Sequence, residues 1–134
     1  MKVIVGYPPN IDELDAAFGV RGRQGVIFAF GQVIYNPDGI QIPSQLFSHE
    51  AVHGIRQQQY IDGISKWWQR YIDDAEFRLH EEIPAHQAEY EAYCAEIHDR
   101  NRRRAMLKSI AKRLSGPLYG NMINFRQARG IIKA

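Results

Sequence analysis

Residues 49 to 53 read His-Glu-Ala-Val-His, two imidazoles four positions apart with a carboxylate beside the first. On an α-helix, positions i and i+4 share a face, so His49 and His53 can hold one cation between them. Glu50 is poorly placed to ligate that cation but can reach a water beside it. The chemistry on offer is hydrolysis by a metal-activated water with Glu50 as the base, and the pattern is the one that holds zinc. The plain alternative is two histidines on an ordinary core helix. A metal with two histidine ligands needs a third protein ligand and an open position for water. Farther along, Glu82, His86, Glu89 and Tyr93 recur at steps of four, three and four, one stripe of a second helix that can supply a carboxylate.

The helix carrying His49 opens at Pro43-Ser44, with Leu46, His49, Glu50, His53 and Gln57 on one side. Gly54 lies inside it at a cost of about 1 kcal/mol relative to Ala, which suits a place where another backbone comes close. Ile64 to Leu79 reads as one helical stretch with Trp67 and Trp68 in the core. Glu81-Glu82-Ile83-Pro84 reads as the start of the next helix, since proline is tolerated in a first turn and carboxylates suit its positive end. Ala85, Ala88, Ala92 and Ala95 then offer a small-residue surface for close packing. Ahead of these helices, Lys2 to Tyr7 reads as a strand, and Asn10 or Asp12 can cap a short helix that runs through Phe18 and is closed by Gly19. Val26–Phe30 and Val33–Tyr35 read as a hairpin, and the Arg21-Gly22-Arg23 loop before it as mobile. The fold class expected is α+β: a short, mainly antiparallel N-terminal sheet on a predominantly helical body.

At 134 residues, 45% hydrophobic and 24% charged, the chain reads as one soluble domain over residues 1–134. A single cysteine, Cys94, excludes an internal disulfide and a cysteine-rich zinc knuckle. No apolar run is long enough for a signal peptide or a membrane span, so the expectation is a cytoplasmic protein with no membrane partner. The net charge of +2 hides an asymmetry. Residues 1–97 carry 7 Lys/Arg and 14 Asp/Glu, whereas residues 98–134, a basic helix ended by Gly116-Pro117 and a tail, carry 10 Lys/Arg and only Asp99.

The chain resembles the small gluzincin metallopeptidases. Their His-Glu-x-x-His helix is matched by His49-Glu50-Ala51-Val52-His53, and their second, Glu-x-x-Ala motif by Glu82-Ile83-Pro84-Ala85. Glu76 to Glu81 and Ser115 to Gly120 also look like short zincin-type proteins of bacteria and phages. The resemblance spans roughly residues 26 to 120; its first motif is specific and its second short. It implies a zincin-like (minigluzincin) domain that hydrolyses peptide bonds, with His49, His53 and Glu82 on zinc, Glu50 as base and a peptide or protein as substrate. Glu81 or His86 are rival third ligands. The resemblance also places an extended substrate along a sheet edge at Val33 to Tyr35. No residue matches the family's oxyanion-stabilising group, for which Tyr119, His86, Tyr90 and His80 are candidates. A substrate-binding domain is missing.

Two other readings compete. One is a catalytically inactive zincin-like domain that binds or regulates a partner. The other takes Arg100, Arg102, Arg103, Arg104, Lys108, Lys112 and Arg113 as a nucleic-acid surface neutralising phosphates. Against it stands a solvated helix face paired with the acidic front half, the preferred account of these charges. Oligomeric state is open.

Overall fold

A computed structural model describes all 134 residues. The protein is α+β, with strands β1 (Lys2–Ile4), β2 (Phe28–Phe30) and β3 (Val33–Tyr35). Its helices are α1 (Ile11–Phe18), α2 (Ser44–Gln59), α3 (Ile64–Asp73), α4 (Ala75–Glu96), α5 (Arg100–Leu114) and α6 (Phe125–Lys133). A 3-10 turn at Pro117–Tyr119 lies between the last two. No helix is long and apolar enough to cross a membrane.

The sheet is mixed and ordered β1-β3-β2. The hairpin read from sequence is present, Phe28 facing Tyr35 and Phe30 facing Val33. β1 then joins the far side of β3 in parallel, Lys2 facing Val33. Because both neighbours pair with it, β3 is the central strand. Val33–Tyr35 is therefore no edge for a substrate, and the edges are β1 and β2. The loop before β2 is tied back, since Arg21 pairs with Asp12 at 2.7 Å and its N–H donates to Asp15.

Gly54 is where α2 meets the hairpin turn. A Cβ on Gly54 would lie 2.2 Å from the Gly31 carbonyl oxygen, so only glycine permits the approach. Gln57, fully buried one turn on, accepts from the Gly31 N–H at 2.7 Å and donates to the Ala29 carbonyl at 3.1 Å. These bonds fix the metal-motif helix against β2.

The helix expected over residues 64–79 is two helices, because Asp74 intervenes. Its side chain accepts from the N–H groups of Glu76 and Phe77 and caps α4 there. The helix start expected at Glu81–Pro84 is therefore absent. Pro84 lies inside α4, where it has no N–H to give the helix ladder, and Glu81 and Glu82 are buried mid-helix. Of the alanine surface only Ala85 is fully buried; Ala95 is exposed. Two apolar clusters flank α4. One joins Leu14, Phe28, Trp67, Trp68 and Tyr71. The other joins Leu79, Leu107, Ile110, Leu114, Tyr119 and Ile132, so the tail folds back through α6 rather than hanging loose.

Candidate metal centre

α2 presents His49 and His53 toward α4, which presents Glu82 one turn after Arg78. The Nε2 atoms of His49 and His53 are 3.1 Å apart, and each lies 3.1 Å from Oε1 of Glu82. Three donors about 2.0–2.1 Å from a tetrahedral zinc are separated by about 3.3 Å. The triangle is thus close to the size the ion requires, and with the His49 proton displaced it would offer the two neutral nitrogens and one anionic oxygen that zinc accepts. The residues fit the group.

The surroundings orient each donor. Nδ1 of His49 is 2.8 Å from Oε1 of Glu89, whose Oε2 accepts from Arg113 at 2.8 Å. The Tyr71 hydroxyl donates to Oε2 of Glu82 in a short hydrogen bond, leaving Oε1 for the imidazoles. Nδ1 of His53 is buried without a partner. Burial works against a proton on His49, but its bonds to Glu82 and Glu89 outweigh that and raise its pKa to about 10. Burial works against charge on Glu82 too, and the two histidines more than compensate, holding its carboxyl well below the usual range. The site is built to keep a positive charge among these carboxylates.

Glu50 faces the same cleft and is acted on by no hydrogen-bond partner. Burial raises its pKa while His53 and His49 pull it down, leaving it above the ordinary carboxylate value. The cleft has a volume of about 650 Å³. Beyond the four site residues its walls are mainly apolar, from Leu14, Phe18, Val20, the Val26–Phe28 segment and Leu118, with Arg23 as the one cation. Arg78 assembles this side of the molecule: its guanidinium donates to the carbonyls of Tyr71, Ile72 and Leu118 and lies over the Phe18 ring.

Among the sequence-derived candidates, Glu81 is turned away from the triangle. It takes both guanidinium donors of Arg56, at 3.0 and 2.7 Å, and the Trp67 indole N–H at 2.7 Å. His86 stands behind His49, its Nδ1 donating to the Glu82 carbonyl oxygen at 2.8 Å, and burial drops its pKa to about 4. His49, His86 and Glu89 form a second group within ligand range. Only His49 of that group lines the cleft, and Glu89 is already engaged by Arg113. Tyr119 is buried near the site, its hydroxyl held neutral first by burial and then by Glu82, but it does not line the cleft. Tyr90 lies in a different cleft, among basic residues, and His80 is exposed on α4. Neither stands where an oxyanion would form.

Sequence reasoning missed the roles of Glu89, Tyr71, Arg113 and Arg23. Glu89 was signalled by its place on the stripe with Glu82. Tyr71 and Arg113 come from other helices and carry no local signal.

Compared with protein-family models, curated proteins and solved structures, the chain matches none.

Proposed function

We propose that the protein is a zinc-dependent peptidase. The observation that carries this is the 3.1 Å triangle of His49, His53 and Glu82 opening, beside Glu50, onto an apolar cleft. When bound there, zinc supplies Lewis acidity to a water and to a substrate carbonyl.

The protein's own groups do the rest. Glu89 fixes the His49 ring through Nδ1 so that Nε2 faces the triangle, and Tyr71 fixes the rotamer of Glu82. Glu50 takes a proton on a carboxylate oxygen as the water attacks, and returns it to the leaving amine. The apolar wall excludes bulk water and receives a nonpolar side chain. The Val26–Phe28 segment, entering the edge strand β2, is the stretch along which an extended peptide lies, in place of the central β3.

The test is metal content and hydrolysis of an unfolded protein such as casein, with wild type beside Glu50→Gln. The reading requires about one zinc per chain in both proteins and cleavage, abolished by chelator, in wild type alone. Equal cleavage by Glu50→Gln refutes the base. Full zinc occupancy without cleavage of casein or a complex peptide mixture favours a zincin-like binding protein instead.

A further inference from the structure

A second cleft, of about 480 Å³, runs between the first turns of α5 and the second half of α6. Arg100, Arg103 and Arg104 line it from α5, Arg129 and Lys133 from α6, and Tyr90 and His98 from α4 and the turn after it. It shares no lining residue with the metal cleft.

These charges are not balanced within the protein. Asp99 is the only acidic side chain after residue 97, and it is spent capping α5 through the N–H groups of Asn101 and Arg102. The front half supplies one partner: Glu89 pairs with Arg113, at a place outside the cleft. Arg103 donates to the carbonyls of Ile97 and Cys94, which steadies the end of α4 without neutralising its charge. The expected pairing of this face with the acidic half is therefore confined to Arg113.

The spacing is also unfavourable to the helix by itself. Arg100, Arg104, Lys108 and Lys112 follow one another at i+4, all exposed, and α5 contains no acidic residue to relieve them. Like charges at that spacing repel, and cations in a first turn oppose the helix dipole. Arg129 and Lys133 repeat the i+4 spacing on α6. Two rows of uncompensated cations converging on one groove complement a linear polyanion. From Arg100 to Lys112 the row is about 18 Å long, by the rise of an α-helix, long enough to face several successive phosphates of one strand.

We propose that this cleft and the adjoining α5 row seat the phosphodiester backbone of a nucleic-acid strand. Tyr90, which lines the groove, offers a ring for a nucleobase. The site is independent of the metal centre.

The test is fluorescence anisotropy of labelled 20-nucleotide single-stranded DNA with the full-length, zinc-loaded protein between 50 and 300 mM salt. Arg104→Gln/Lys108→Gln removes exposed, unpaired charges from the α5 row, and Arg129→Gln/Lys133→Gln removes them from the α6 side of the groove. Lys2→Gln/Lys66→Gln makes the same change in net charge elsewhere. Each groove pair should flatten the slope of log affinity against log salt by about 1.4 and weaken binding at 50 mM salt more than about tenfold, with little change in the control. The proposal is overturned by absence of binding at 50 mM salt, or by the control matching the groove variants. It is equally overturned if inorganic phosphate or a mononucleotide competes as well, per phosphate, as the oligonucleotide, which would mark a small-anion site.

Discussion

Glu89 holds Nδ1 of His49 at 2.8 Å, and through its second oxygen is itself held by Arg113. A carboxylate behind a ligating imidazole fixes the ring and its tautomer, leaving the opposite nitrogen free to bind. Glu89→Ala should therefore lower zinc affinity about 10- to 100-fold without touching a ligand. Glu89→Gln should recover part of the loss, because its carbonyl oxygen still accepts from Nδ1. Competition against a chromophoric chelator reads both; unchanged affinity in Glu89→Ala would remove the residue from the site.

The two adjacent glutamates of α4 should separate cleanly. Glu82→Ala removes one of three donors from the triangle and should abolish stoichiometric zinc. Glu81→Ala should leave zinc bound and destabilise the protein instead. It orphans the Arg56 guanidinium and the fully buried Trp67 indole N–H, a loss of about 1–3 kcal/mol. Elemental analysis and urea unfolding of both variants decide the assignment. Zinc loss from Glu81→Ala with retention in Glu82→Ala would reverse it.

That separation shows what was legible in the chain. His49, Glu50 and His53 are a local pattern, so helix periodicity alone puts both imidazoles on one face. Glu82 came from the resemblance with Glu81 and His86 as rivals, and the rotation of α4 that turns Glu81 toward Arg56 and Trp67 brings Glu82 beside the two imidazoles. The start of α4 was misplaced because Pro84 is a strong local signal for a first turn. Asp74 is a better cap ten residues earlier, and packing on both faces of α4 tolerates the proline. The central place of β3 was hidden because β1 returns to pair with it in parallel from about thirty residues away. No short-range pattern encodes that crossover.

The close backbone approach expected at Gly54 is made by the Gly31 carbonyl. Gly54→Ala should gain about 1 kcal/mol in helix propensity. Against that, the new Cβ meets a backbone oxygen at 2.2 Å, and Gln57 pins the turn bearing it. Overpacking of this kind costs about 1–3 kcal/mol, more where the neighbour is backbone that cannot rotate aside. The net expectation is destabilisation and, because α2 must shift, weaker zinc binding through the neighbouring His53. Urea denaturation of the metal-stripped variant gives the sign; a gain in stability would mean that the hairpin yields.

Opposed shifts at His49 and Glu89, with a third at His86, set how the metal-stripped protein responds to pH. Burial would lower the His49 pKa, but the bonds to Glu82 and Glu89 carry it to about 10, above its ordinary 6.5. Burial would raise Glu89, but His49 and Arg113 bring it to about 2, below its ordinary 4.5. A raised histidine stabilises fully below pH 6.5, and its contribution drains away as pH rises toward 10. A lowered carboxylate stabilises above pH 4.5, and its contribution is lost as pH falls toward 2. Burial lowers His86 to about 4, and a lowered histidine adds stability only as pH rises toward 6.5. With the three groups together the metal-stripped protein is most stable near pH 6.5 and should melt at progressively lower temperature from pH 7 to 9. Zinc competes with protons for its donors, so zinc stabilisation should grow over the same interval. Thermal melts with zinc and with chelator, taken from pH 6 to 9, should therefore diverge as pH rises. A chelated protein whose Tm stays flat across that range would show that no proton is held between His49 and its carboxylates.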